Sequence, residues 1–163
     1  MKRTIIRDMF TVTLTTALAV GVALTARAAE KECSNATLTG TFAFTNTGFF
    51  TAAAAPPAQA GPAAGVGVQT FDGNGGTTAR MWVSVNGNIF QVTITGTYSV
   101  NPDCTGTLTL FPSIVSPPIT VPPRQVFFVI DNHGAEFRGI NTTPGDVVTT
   151  VGRRQFSKDN GRQ

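Results

Sequence analysis

From Ile89 to Val100 the chain alternates. Phe90, Val92, Ile94, Tyr98 and Val100 share one face, with Gly96 among them, and Gln91, Thr93, Thr95, Thr97 and Ser99 share the other. A period of two is the mark of a β-strand with one buried and one wet face. Threonine suits the wet face, because its branched Cβ fits the pleat while its hydroxyl stays solvated.

The pattern recurs between turn signals. Asp72-Gly73-Asn74-Gly75-Gly76, Asn86-Gly87-Asn88, Asn101-Pro102-Asp103, Asn132-His133-Gly134 and Thr143-Pro144-Gly145-Asp146 all interrupt it. Gly and Asn tolerate positive φ there, and Pro presets the turn. The cuts predict eight strands, at roughly 38–50, 64–72, 77–86, 88–100, 104–112, 119–131, 134–142 and 146–156. None of the connections reads as a crossover helix, so sequential neighbours are expected to pair antiparallel. The fold class is all-β. The expected architecture is an eight-stranded antiparallel up-and-down β-barrel, closed so that no edge is exposed. A two-sheet β-sandwich is the alternative. The simple meander order favours the barrel.

Ahead of the strands lies a different kind of segment. Lys2, Arg3 and Arg7 form a positive start, Met9 to Ala26 runs apolar without a charge, and Ala26-Arg27-Ala28 offers small residues before a cleavage point. That reads as a signal peptide over 1–28, leaving 29–163 as a single barrel domain. The protein is then expected to be exported, to the periplasm or beyond. Without the signal, eight basic and eight acidic residues remain and the chain is formally neutral. No basic footprint for nucleic acid is left. No membrane partner is expected for the mature form: a membrane-spanning barrel carries Trp and Tyr girdles at its interfaces, and the chain has one of each against twelve Phe. The Phe42, Phe44, Phe49, Phe50 and Phe127, Phe128 clusters read as core.

Export puts Cys33 and Cys104 in an oxidising compartment, where pairing is the default. In a meander the connections alternate between two ends. The long ones, Thr51–Pro62 and Pro112–Pro118, fall at one mouth, and tight turns close the other end. Cys33, ahead of strand 1, and Cys104, at the 4–5 turn, both belong to the compact end. A disulfide between them is expected to hold the segment 33–37 across it as a floor. The Ala/Pro-rich flap at the mouth reads either as a low-complexity spacer or as a lid over an apolar pocket.

Two stretches, Gln69-Thr-Phe-Asp-Gly-Asn-Gly-Gly76 and Gly96-Thr-Tyr-Ser-Val-Asn-Pro-Asp-Cys-Thr-Gly-Thr-Leu-Thr-Leu110, resemble a group of exported bacterial β-barrel proteins. Phe127-Phe-Val-Ile-Asp-Asn-His-Gly-Ala-Glu136 and Arg154-Gln155-Phe156 extend the resemblance. More distantly, the chain looks like the allene oxide cyclase and dirigent type within the lipocalin-like set. That resemblance implies a barrel that binds or cyclises small apolar molecules, and it carries no catalytic residue over to this chain.

Few charged or phenolic residues fall in strands. Tyr98, on an apolar face, is a candidate for a polar group pointing into the lumen, since a buried phenol needs a partner. Glu136 and Arg138 share a face of their strand. They form either a solvated outer pair or an inward ligand-binding pair. Arg80 and Trp82 share the polar face of strand 3 and mark a candidate partner surface, unless they only stack as cation and ring. His133 reads as a solvated turn residue. No metal, phosphate or hydrolase motif is present, and no cofactor is expected. The leading functional expectation is an exported barrel that binds a small apolar ligand or a surface partner. A cyclase or isomerase working in the lumen and a structural surface protein without ligand stand as alternatives.

Overall fold

The computed structural model describes residues 32–51, 60–116 and 118–155. The expected signal peptide, the flap residues 52–59 and Phe156 lie outside them. The strands are β1 (Gly40–Phe50), β2 (Gly61–Phe71), β3 (Gly76–Val85), β4 (Asn88–Val100), β5 (Thr105–Ile114), β6 (Ile119–Thr120), β7 (Arg124–Asp131), β8 (Glu136–Asn141) and β9 (Asp146–Arg154).

Eight long strands close into an antiparallel up-and-down barrel, with β6 as a two-residue addition against the end of β5. The order around the wall is β4-β3-β2-β1-β9-β8-β7-β5, and the β4–β5 pairing completes the ring. The seam between the first and last strands runs from Phe42 opposite Arg154 to Phe50 opposite Asp146. The sandwich is thereby set aside.

Several boundaries differ from the sequence reading: β2 starts at Gly61 and not at 64, and β5 runs on to Ile114 and not to 112. The expected strand over 119–131 is interrupted, because Pro122 and Pro123 have no N–H to give a ladder, and β7 starts at Arg124. Residues Asn35–Leu38 form a 3-10 turn instead of the start of β1, with Ser34 N–H donating to Thr37 Oγ1 at 3.0 Å.

Parity decides which side chains enter. Phe42 and Phe44 point inward, as do Phe71, Met81, Ile94, Leu108, Phe128 and Phe137. The Thr face of β4 is exposed. Phe49 and Phe127, read as core, are exposed instead, because each neighbours a Phe that points in and successive strand side chains alternate.

The closed-end half of the lumen is solid. Phe42, Phe71, Tyr98, Phe128 and Phe137 meet edge to face, with centroids 5.0–6.4 Å apart, the geometry that ring quadrupoles favour. Two glycines make room for these rings: Phe128 lies over Gly106 and Phe137 over Gly152.

Beneath the rings runs the floor. Cys33 is bonded to Cys104, Cα atoms 4.9 Å apart, and Cys33 N–H donates to the Pro102 carbonyl at 3.1 Å. Asn35 Oδ1 accepts from Val100 N–H at 2.8 Å. The N-terminal segment therefore crosses the compact end, as the meander requires. Arg154 closes the remaining gap. Its guanidinium sits 4.7 Å from the centre of the Phe42 ring. It donates to the carbonyls of Thr39, Thr37 and Gly134.

Candidate functional site

The other half of the lumen is not filled by the described side chains. A cavity of about 150 Å³ lies there. Its walls are Val83, Phe90, Val92, Ile94, Leu108, Leu110, Ile114, Val126 and Val148, with Phe44 and Met81 toward the base. The space follows from the inward face of β2, which offers only Gly61, Ala63, Gly65 and Gly67 before Gln69. Larger residues have no room at two of them. A Cβ on Gly65 would lie 2.6 Å from Met81 Cε, and one on Gly67 would lie 2.8 Å from Phe44 Cζ.

Polar groups interrupt this apolar wall at three levels. Nearest the mouth, Arg124 and Asp146 form a buried ion pair, Nη1 to Oδ1 at 3.3 Å. The contact is held by charge, since Asp146 Oδ1 has no aligned hydrogen bond. Asn141 Nδ2 donates to the other carboxylate oxygen at 3.1 Å, and the Phe50 ring stands 5.7 Å from the guanidinium carbon. Burial pushes the Asp146 carboxyl above the ordinary carboxylate value, while Arg124 and Asn141 pull it back. Half-way down, Asn46 has its Oδ1 buried with no hydrogen-bond partner. At the base, Gln69 Nε2 donates to Thr77 Oγ1 at 3.1 Å.

The candidates named from the sequence lie elsewhere. Tyr98 does point inward, but onto the floor. Its hydroxyl donates to the Asn35 carbonyl at 3.0 Å and accepts from Gly73 N–H at 2.9 Å. Burial raises its pKa above the usual phenol value. It seals the closed end and does not line the cavity. Glu136 and Arg138 have the outward parity of β8, opposite to that of Phe137. Glu136 sits between Arg138 at 2.9 Å and Arg153 at 3.0 Å, and Arg138 also reaches Asp131 at 3.3 Å. They form a surface network near the closed end, away from the lumen, which is the placement of the solvated outer pair.

Arg80 and Trp82 are outward as expected, and Trp82 is 56% exposed beside its register partners Val66 and Gln91. Among the described residues the cation–π contacts are Arg124–Phe50 and Arg154–Phe42. The groups with metal-ligand chemistry form no cluster among the described residues.

Arg124, Asp146, Asn46 and Gln69 were not singled out in the sequence. One signal was available: Arg124 shares parity with Val126 and Phe128, and Asp146 with Val148. Comparison of the chain with protein-family models, with curated proteins and with solved structures finds no match, and the site stands on its own geometry.

Proposed function

We propose that this protein binds a small, largely apolar molecule in the mouth half of its barrel. The observation that carries the reading is the cavity of about 150 Å³ with aliphatic walls. An enclosed apolar cavity of about that size accepts one benzene ring, so one ring of a larger molecule can seat here while the rest extends toward the mouth. The walls therefore favour an apolar body, and the polar groups set what it carries. Arg124 and Asp146 neutralise each other, so neither sign of ligand charge has a ready counterion. A buried acceptor without a donor costs about 1–3 kcal/mol, and Asn46 Oδ1 is one. A neutral molecule with a hydroxyl or N–H within reach of Asn46 would relieve that cost.

The test uses N-phenyl-1-naphthylamine, a neutral apolar fluorophore with a single N–H. Wild-type protein is expected to raise and blue-shift its emission with saturation at one site. Val83→Phe fills the cavity from the wall and is expected to abolish the change without lowering the melting temperature. Equal emission from wild type and Val83→Phe would refute a lumenal site. Asn46→Leu is expected to weaken this probe more than it weakens naphthalene, which lacks the N–H.

A further inference from the structure

The charges of this barrel are segregated. Asp72, Asp103 and Asp131 lie in or beside the closed-end turns, Glu136, Arg138 and Arg153 near the strand ends there, and Glu32 and Arg154 in the floor. Arg80 sits at the middle of β3. Arg124 and Asp146 are buried inside the lumen. Among the described residues, the outer surface of the mouth half carries no charge.

What it carries instead are exposed apolar side chains at the ends of several strands. Phe49 is one residue short of the end of β1, Ile89 and Val147 are second in β4 and β9, and Val115 follows β5. Their exposures include 45% for Phe49 and 63% for both Ile89 and Val147. Phe49 has Val147 on one side and Pro62 on the other as register partners. Val115 N–H donates to the Gln91 carbonyl beside Ile89. Trp82 stands three residues inside the β3 end of the same half.

Exposed apolar surface of this kind marks an interaction site. Its shape identifies the occupant. The residues are spread over the ends of β1, β3, β4, β5 and β9 and not on one flat face, so a rigid protein partner would meet them only by matching that spread. A fluid lipid layer conforms to it without such matching. It also tolerates Trp and Phe at its boundary and rejects charge, which matches the charge-free half. We infer that the barrel docks mouth-first on a lipid surface, through Phe49, Ile89, Val115, Val147 and Trp82. The lumen then takes up or gives back its ligand across that contact. The second clause rests on the lumenal binding reading, but the docking does not. This contact needs no spanning, and it departs from the expectation that the mature form has no membrane partner.

The experiment is co-sedimentation of the protein with zwitterionic phosphatidylcholine vesicles, followed by the emission of its one tryptophan. Wild type is expected to sediment with the vesicles and Trp82 emission to shift blue. Ile89→Asp and Val147→Asp are each expected to lower the partition coefficient about tenfold, the scale of removing one buried apolar side chain. Raising the salt should leave wild-type binding unchanged, since no rim charge is involved. Val129→Asp places the same charge on an exposed site near the closed end and is expected to bind as wild type does. Melting temperatures of all three variants confirm that they fold. Absence of sedimentation would overturn the docking, and so would equal loss from Ile89→Asp and Val129→Asp. A dimer in solution that Ile89→Asp dissociates, without vesicle binding, would assign these side chains to a second copy and overturn the lipid surface. Vesicle binding that survives in Val83→Phe, together with no fluorophore binding in wild type, would leave the docking and remove the lumenal ligand.

Discussion

The hydroxyl of Tyr98 donates to the backbone carbonyl of Asn35, 63 residues earlier in the chain, and so ties the wall of the barrel to its floor. The same oxygen accepts from Gly73 N–H. One side chain thus joins β4, the β2–β3 turn and the N-terminal crossing. Tyr98→Phe leaves a donor and an acceptor without partners and is expected to cost about 1–3 kcal/mol. Fluorophore binding should be unchanged, because the phenol does not reach the cavity.

Tyr98 also sets an alkaline limit. Its folded pKa is raised by burial, so the neutral phenol favours the fold. That stability is fully present below the unfolded value near 10 and is lost as pH rises through the folded value. The chain has one tyrosine, so phenolate absorbance reports this residue alone. Its midpoint is expected above that of the denatured protein, and Tyr98→Phe should be less sensitive to alkali than wild type.

Asp72 sets a limit at the acid side. One carboxylate oxygen accepts from the N–H groups of Asn74, Gly75 and Gly76 at 2.7–3.0 Å, and these bonds lower its pKa. A depressed folded pKa contributes stability that is present above the unfolded value and lost as pH falls through the folded one. Asp72→Asn is therefore expected to be less stable than wild type at neutral pH. The gap should narrow as the solution is acidified below about pH 4, where the free carboxyl titrates. Urea unfolding at a series of pH values measures it.

The buried pair predicts asymmetry between breaking and replacing. Asp146→Ala removes one member of the buried pair and is expected to cost about 3–5 kcal/mol. The double variant Arg124→Met, Asp146→Leu removes both charges and is expected to recover most of that loss. Denaturant midpoints of the two variants decide it, and a double variant as unstable as Asp146→Ala would contradict the account.

Cys104 occupies an unusual backbone position. Its φ is +66°, in the left-handed region, where the Asn101–Thr105 hairpin needs the residue that follows its turn. Glycine is the usual occupant there. Losing the disulfide through Cys33→Ser is expected to cost about 2–4 kcal/mol. In that background Cys104→Gly should be more stable than Cys104→Ser by about 1 kcal/mol, because only the serine keeps the side-chain penalty. Thermal melts of the two double variants rank them.

Parity made the barrel legible. Alternation along Ile89–Val100 and its repeats assigned inside and outside, and the turn signals placed the ends, so the floor and its disulfide could be anticipated at the compact end. The site was less legible for a physical reason. Parity says that Tyr98 points inward but not how deep it lies, because depth is fixed by pairings far apart in sequence, such as Phe42 with Arg154. Arg124 and Asp146 escaped because each opens its strand directly after a proline or turn segment, where charge reads as punctuation. Glu136 and Arg138 drew attention as a pair, yet their neighbour Phe137 had already claimed the inward parity.

The seam carries a consequence for how the molecule is made. The wall closes only where β1 meets β9, with Thr47 and Thr149 as partners 102 residues apart. Until the last strand has been synthesised, β1 has a neighbour on one side only, and its other edge presents unpaired N–H and C=O groups. The hairpins from β1 through β5 need only local partners, and both cysteines lie within or ahead of that stretch. The disulfide can therefore fix the floor while the wall is still an open sheet. A chain released before residue 146 would keep a stapled base and two bare edges, a template for joining strand to strand with its own copies.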